Sequence, residues 1–418
     1  MKRNNKILMS IGMAAVAGVV LAGCSGGTDG GGDSNGSGEV TTITLAAATF
    51  AEEGRGQDLE AWLEEFNSSQ DEVRVEPASI PYPTFGSTIL TQMGGGVGPD
   101  MIRFDMPEYS AAVEAGLLEP LDEMIDASKY DLIKSADKFM VVDDVRYGAI
   151  FEIANYALIY NTDLVPEPPT TYQEFVDAAV NATTDTVFGL AFRHTMAEEA
   201  GMWTDVWNYV YGFGGEFSDG KELTLNSPDT IKGVEAYKEL YDLHVIPEGT
   251  PAATFRTMFG DRLVAMEIDN GGVAGNIQAM NDALNINAAP IPFPVKSQGA
   301  ILAPLVVNAA SEHKEATATF LNWMLEQENQ EALQEVMGAS SVATKTERSA
   351  EALKEKPYLA AFDALTETGL PHIVQGFEAQ TPDIRKIVVE QIIAALQGEK
   401  DVKTAMNEAQ ERAVAAVG

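Results

Sequence analysis

The chain has 418 residues, with 63 acidic side chains against 27 lysines and arginines and a formal charge of −36 with histidine neutral. A surface of that sign repels nucleic-acid phosphates, so a nucleic-acid partner is excluded, and it favours solubility. Only one cysteine is present, which removes internal disulfides, CxxC redox pairs and thiolate metal sites.

The chain opens on a short basic segment, Met1-Lys2-Arg3-Asn4-Asn5-Lys6, followed by an apolar run from Ile7 to Ala22. That run is shorter than the about 20 apolar residues a spanning helix needs. A basic head, a short apolar body and small residues at its end predict a secretory signal over residues 1–23. The run ends Leu21-Ala22-Gly23-Cys24, which resembles the lipobox of bacterial lipoproteins. That resemblance implies cleavage before Cys24 and a lipid on its sulfur. Two acyl chains give a lasting anchor where one does not. Residues 24–40 are then a lipidated cysteine and a Gly/Ser-rich tether, too polar to bury apolar surface. The expected location is the extracytoplasmic side of a cell membrane.

The remaining chain is long enough for two domains. Thr41 to Ala47 reads as a strand. Leu59, Trp62, Leu63 and Phe66 recur at helical spacing. Val73 to Glu76 alternates like a strand, and Phe85, Ile89, Leu90 and Met93 mark a helix stopped by Gly94-Gly95-Gly96. Met101 to Phe104 is a short strand, and Pro107 to Ala115 a helix ending at Gly116. Tyr156 to Tyr160 is a strand. Pro168-Pro169-Thr170-Thr171 opens a helix carrying Tyr172, Phe175 and Val176. Ser227-Pro228-Asp229 is a helix start, with serine at the cap and proline in the first turn. Ala316 to Leu325 is helical, and the tail is two helices. The alternation predicts α/β layers.

Catalytic and cofactor signatures are missing. The four histidines, His194, His244, His313 and His372, show no metal-ligand spacing, and there is no HExxH, GxSxG or P-loop. No cofactor is implied, and an enzyme is not expected. A glycosidase stays open, because its two carboxylates need no motif.

Several short stretches together resemble the family 1 extracellular solute-binding proteins of ABC importers, the group that includes the maltose-binding protein. They are Gly98-Pro99-Asp100-Met101-Ile102 with Ala115-Gly116-Leu117-Leu118-Glu119-Pro120-Leu121, Tyr147-Gly148 through Phe151-Glu152 to Leu158-Ile159-Tyr160-Asn161, and Pro168-Pro169-Thr170-Thr171-Tyr172. Gly214-Gly215 with Leu225-Asn226-Ser227-Pro228, Ala265-Met266-Glu267-Ile268 and His313-Lys314-Glu315-Ala316 complete the series. The resemblance implies a type II, maltose-binding-protein-like fold: two α/β lobes, a hinge and an interlobe ligand cleft. Crossings near Ile150, Ser297 and Lys345 give a first lobe of residues 41–150 plus 298–345 and a second of 151–297 plus 346–418. It also implies a monomer that binds a small solute, a mono- or oligosaccharide, and delivers it to ABC permease subunits by lobe closure.

A sugar site needs an aromatic face for C–H surfaces and amides or carboxylates for hydroxyls. Trp207, seven residues before Gly214 as in the family, and Trp203 are expected ligand contacts, although with Val210 they also fit the core face of a helix. The family pattern adds Asp105 and Phe104 at a strand end, Glu152 at the first crossing with Asn155 and Tyr156 beyond it, Phe50 after the first strand, and the loop amide Asn270. Two departures stand out. Gly272 replaces a tryptophan common after Ala-Met-x-Ile, and no proline follows Tyr147-Gly148. Ferric iron, through Tyr209 and Tyr211, and a polyamine remain alternative ligands.

Overall fold

The computed structural model describes residues 40–417 apart from 53 and 282. The expected signal, Cys24 and the tether, save its last residue, lie outside the described residues. No described helix is long and apolar enough to cross a membrane.

Ten strands occur among the described residues: β1 (Thr41–Ala47), β2 (Val73–Ser79), β3 (Met101–Arg103), β4 (Val141–Val142), β5 (Val145–Arg146), β6 (Ala149–Asn161), β7 (Met266–Asn270), β8 (Ile286–Ala289), β9 (Gln298–Val307) and β10 (Gly369–Pro371). Eight form a continuous sheet of order β2-β1-β3-β9-β6-β7, with β10 on β9 and β8 on β6. β1 runs parallel to β2 and β3, as βα alternation requires. β9 returns antiparallel to β3 and β6. β4 and β5 form a hairpin whose turn, Asp143-Asp144, has φ of 50° and 64° at both positions, the left-handed pair that a two-residue hairpin favours.

β6 organises the molecule. Its first half pairs with β9 and its second half with β7 and β8, so one strand passes from one packed body into the next. All 13 of its residues are buried. A strand covered on both faces reads as a continuous apolar run rather than an alternation. For that reason it begins at Ala149, seven residues before the expected Tyr156.

Helices form where apolar spacing places them, over Arg55–Ser69, Tyr82–Gly94, Met106–Glu114, Tyr172–Ala182, Pro228–Asp242, Lys314–Leu325, Thr381–Leu396 and Val402–Val417. The Thr171 and Ser227 hydroxyls accept from the Glu174 and Thr230 amides at 3.3 and 3.2 Å, satisfying first-turn donors.

The first lobe has a core of Ile43, Leu45, Trp62, Phe66, Phe104, Phe151, Leu305 and Phe320. The second has two cores on opposite faces of its sheet. One holds Trp203, Trp207, Tyr237 and Ile392, and the other Ile159, Phe255, Phe259 and Phe362. Ile153 and Ser341 exchange both backbone hydrogen bonds, at 2.8 and 2.9 Å, so a third segment joins β6 and β9 between the lobes.

Candidate functional site

Among the buried residues of β6 is one carboxylate. The β6–β9 register slips between Ile150 and Glu152, and Glu152 is left only 4% exposed. One of its oxygens accepts from Arg55 Nη2 at 2.5 Å and Ser340 Oγ at 2.8 Å, and the other from Arg103 Nη2 at 2.9 Å. Burial pushes the carboxyl up, but the two guanidiniums overcome it and hold it at about 2. Glu152 therefore ties the Arg55 helix, the β3 end and the Ser340 segment to the crossing strand.

From this knot a chain of polar contacts leads outward. Arg103 Nη1 donates to Asp105 at 2.6 Å, and the Tyr82 hydroxyl donates to the other Asp105 oxygen at 2.9 Å. These residues line a cavity of about 360 Å³ with Ala48, Phe85, Gly86, Ser87 and Glu108. Arg103 Nε and Glu108 Oε2 are buried without a protein partner. Burial and then the Asp105 charge push the Glu108 carboxyl up. A Cβ at Gly86 would stand 2.7 Å from that carboxyl, so the bare backbone makes its room.

A second cavity has a volume of about 900 Å³. Met106, Tyr109, Ser110 and Val113, at i, i+3, i+4 and i+7 on one helix face, line it with the β4–β5 hairpin and with Leu370, Ile373, Gln375 and Gln380. Small-molecule sites concentrate in clefts of this size.

In the second lobe Trp207 stacks on Tyr211 at 4.1 Å and Trp203 on Phe217 at 4.4 Å, and both tryptophans are at most 2% exposed. Trp203 Nε1 donates to His372 O at 3.2 Å, while Trp207 Nε1 has no protein partner. Tyr156 meets the His372 ring edge-on at 5.0 Å, and burial holds that imidazole down at about 3. Beneath them Arg193 binds Asp205 at 2.6 Å and Asp269 at 3.1 Å, and Arg256 reaches Asp269 at 2.5 Å. Burial pushes Asp205 up to about 7. Glu267, two residues along β7, has neither carboxylate oxygen partnered.

The expected site residues are spread over several places. Asp105 lines the smaller cavity, with Glu152 behind it, while Phe50 and Phe104 are packed in the first core at 7% and 0% exposure. Trp203, Trp207 and Tyr156 share the second lobe's aromatic cluster. Asn155 is turned to Phe362 O and Thr366 Oγ1, both at 3.2 Å. Asn270 stands apart as a helix cap, its Oδ1 accepting from the Gly272 and Val273 amides at 3.0 and 3.3 Å. Tyr209 of the tyrosine pair is buried against Phe293 and Tyr237, and burial pushes both phenols up. Tyr82, Arg103 and Glu108 were not anticipated. The signal for Tyr82 was present, an aromatic between Pro81 and Pro83 at a helix start.

This arrangement has relatives. The maltooligosaccharide ABC transporter solute-binding lipoprotein of Streptococcus pneumoniae is 24% identical, over 96% of this chain and 94% of its own. The sn-glycerol-3-phosphate-binding periplasmic protein of Rhizobium meliloti is also 24% identical, over 86% and 90%. The crystal structure of the cyclic α-maltosyl-1,6-maltose binding protein from Arthrobacter globiformis superposes with a TM-score of 0.77 at 20% identity, covering 91% of this chain and 99% of that one, which establishes the shared two-lobed fold. The bacterial extracellular solute-binding protein profile matches residues 61–361. With a fold shared with that crystal structure and a profile match over most of the sequence, this chain belongs to the bacterial extracellular solute-binding protein family.

Proposed function

We propose that this protein captures a neutral carbohydrate of the maltooligosaccharide class between its lobes and presents it to an ABC permease by lobe closure. A lipid on Cys24 would hold it at the extracytoplasmic face of the membrane. Charge balance in the smaller cavity carries the choice of ligand. The Arg103 guanidinium is committed to Asp105 and Glu152, and the remaining charged lining group is Glu108. A phosphate or carboxylate would meet carboxylates with no uncommitted cation, whereas hydroxyls find both acceptors and donors. This favours the sugar relatives over the glycerol-phosphate relative as guides.

Melting of the protein with maltotriose, maltotetraose, sn-glycerol 3-phosphate, spermidine and ferric citrate tests the reading. A ligand that binds only the folded state adds about 4 kcal/mol at a thousandfold excess over Kd. The maltooligosaccharides are expected to raise the melting temperature and the phosphate ester to leave it unchanged. A response to the ester, spermidine or iron alone would overturn the assignment. Gly86→Ala gives a finer check. The Glu108 carboxyl can swing away, so stability should change by less than about 1 kcal/mol. Loss of a placed acceptor should weaken maltotriose binding severalfold in calorimetric titration.

A further inference from the structure

Tyr82 is 67% exposed, the most open of the large apolar side chains among the described residues. A solitary exposed aromatic is ordinary on a protein surface. This one differs because its hydroxyl is fixed. It donates to Asp105 at 2.9 Å, Asp105 is clamped by Arg103 at 2.6 Å, and Arg103 is anchored on the buried Glu152 at 2.9 Å. The ring is thus held by its edge on a rigid chain. It lines the cavity of about 360 Å³ together with Arg103, Asp105 and Glu108. A tyrosine has only two side-chain torsions, and a pinned one loses little freedom when a ligand packs on it.

The polar side chains of Arg103, Asp105 and Glu108 line the same cavity, and Arg103 Nε and Glu108 Oε2 are buried without protein partners. Buried polar atoms left open in this way are satisfied by something else. An aromatic face beside a guanidinium and two carboxyls matches a pyranose ring, which has an apolar C–H face and an edge of hydroxyls.

We propose that Tyr82 is a ligand-contact residue, the stacking wall of a single-sugar subsite in this cavity, with Arg103 and Glu108 taking the hydroxyls on the sugar's edge. The inference rests on the carbohydrate reading above and adds to it the surface on which one ring is held. It also moves the aromatic contact to the first lobe, since Trp203 and Trp207 are closed into the second lobe's core.

The test is calorimetric titration of the full-length chain and of Tyr82→Ala and Tyr82→Phe with maltotriose, alongside melting without ligand. Tyr82→Ala is expected to melt like the parent, because the ring is mostly in solvent, and to bind at least about tenfold more weakly. Tyr82→Phe keeps the ring and should lose only about two- to threefold, the part due to the lost pin. Unchanged binding in Tyr82→Ala overturns the role of Tyr82 while leaving the carbohydrate reading intact. Equal losses in both variants assign the effect to the hydroxyl and overturn the stacking. A parent protein that binds no maltooligosaccharide overturns both proposals together.

Discussion

Glu152→Ala is expected to lower the unfolding free energy at neutral pH by about 3 kcal/mol. Two charges lose their counter-ion at once. Arg103, with its side chain 11% exposed, keeps only Asp105. Arg55, 30% exposed, keeps a looser pair with Glu52 at 3.6 Å and regains some water, which places the cost at the lower end for a broken buried pair. Linkage supplies an independent check. The folded carboxyl titrates at about 2, below its usual 4.5. Its stabilisation is therefore complete above pH 4.5 and disappears as pH falls toward 2, a change of about 3 kcal/mol. Urea unfolding of parent and variant at pH 7 and again near pH 2 should show a wide gap that narrows in acid. A gap independent of pH would mean that lost packing, not lost charge, explains the destabilisation.

The same residue shows what a linear sequence reveals and what it hides. A carboxylate inside the apolar run Ala149 to Tyr160 is conspicuous, and its placement at a lobe crossing suggested a cleft contact. Its partners lie 97 and 49 residues away in the chain, at Arg55 and Arg103, and no local pattern announces such a pairing. The helices and outer strands were legible because period and caps are local: Ser227-Pro228 and Thr171 start helices where their chemistry predicts. The length of β6 was obscured because burial on both faces erases alternation. Trp203 and Trp207 carried two readings, ligand contact and helix core, and spacing alone does not separate them. In the structure their rings pack on Phe217, Tyr211 and His372. Asn270 could have been recognised as a cap, since an asparagine ahead of a helix characteristically accepts from first-turn amides. Tyr82 escapes a reading by apolar spacing because it opens its helix on the solvent side, while Phe85, Ile89 and Met93 behind it are buried. Its significance comes from Asp105, brought to it by the parallel pairing of β1 with both β2 and β3.

The second large effect lies in the other lobe, and its sign is opposite. Glu267 is 1% exposed with both oxygens unpartnered, while the nearby arginines are committed to Asp205 and Asp269. Burial, then the Asp269 charge, push its carboxyl up to about 8. In the unfolded chain it titrates near the usual carboxylate value, so between about pH 4.5 and 8 the unfolded state releases a proton that the folded state keeps. Stability then falls as pH rises, by about 1.4 kcal/mol per unit, or about 3 kcal/mol between pH 4.5 and 7. Asp205, raised to about 7 by burial, adds a second decline in the same direction. Glu267→Gln has nearly the same shape and cannot ionise, so it should be more stable than the parent at pH 7 by about 2–3 kcal/mol and close to it near pH 4.5. The Asp205 part of the decline should persist in the variant and disappear when Asp205 is also replaced by asparagine. That leaves the opposite contribution of His372, whose lowered pKa makes stability rise with pH up to about 6.5. Were Glu267 instead ionised in the folded protein, held by internal water, the glutamine variant would be the less stable of the two at pH 7. The sign of the difference between parent and variant at neutral pH therefore decides which protonation state the second lobe is built around.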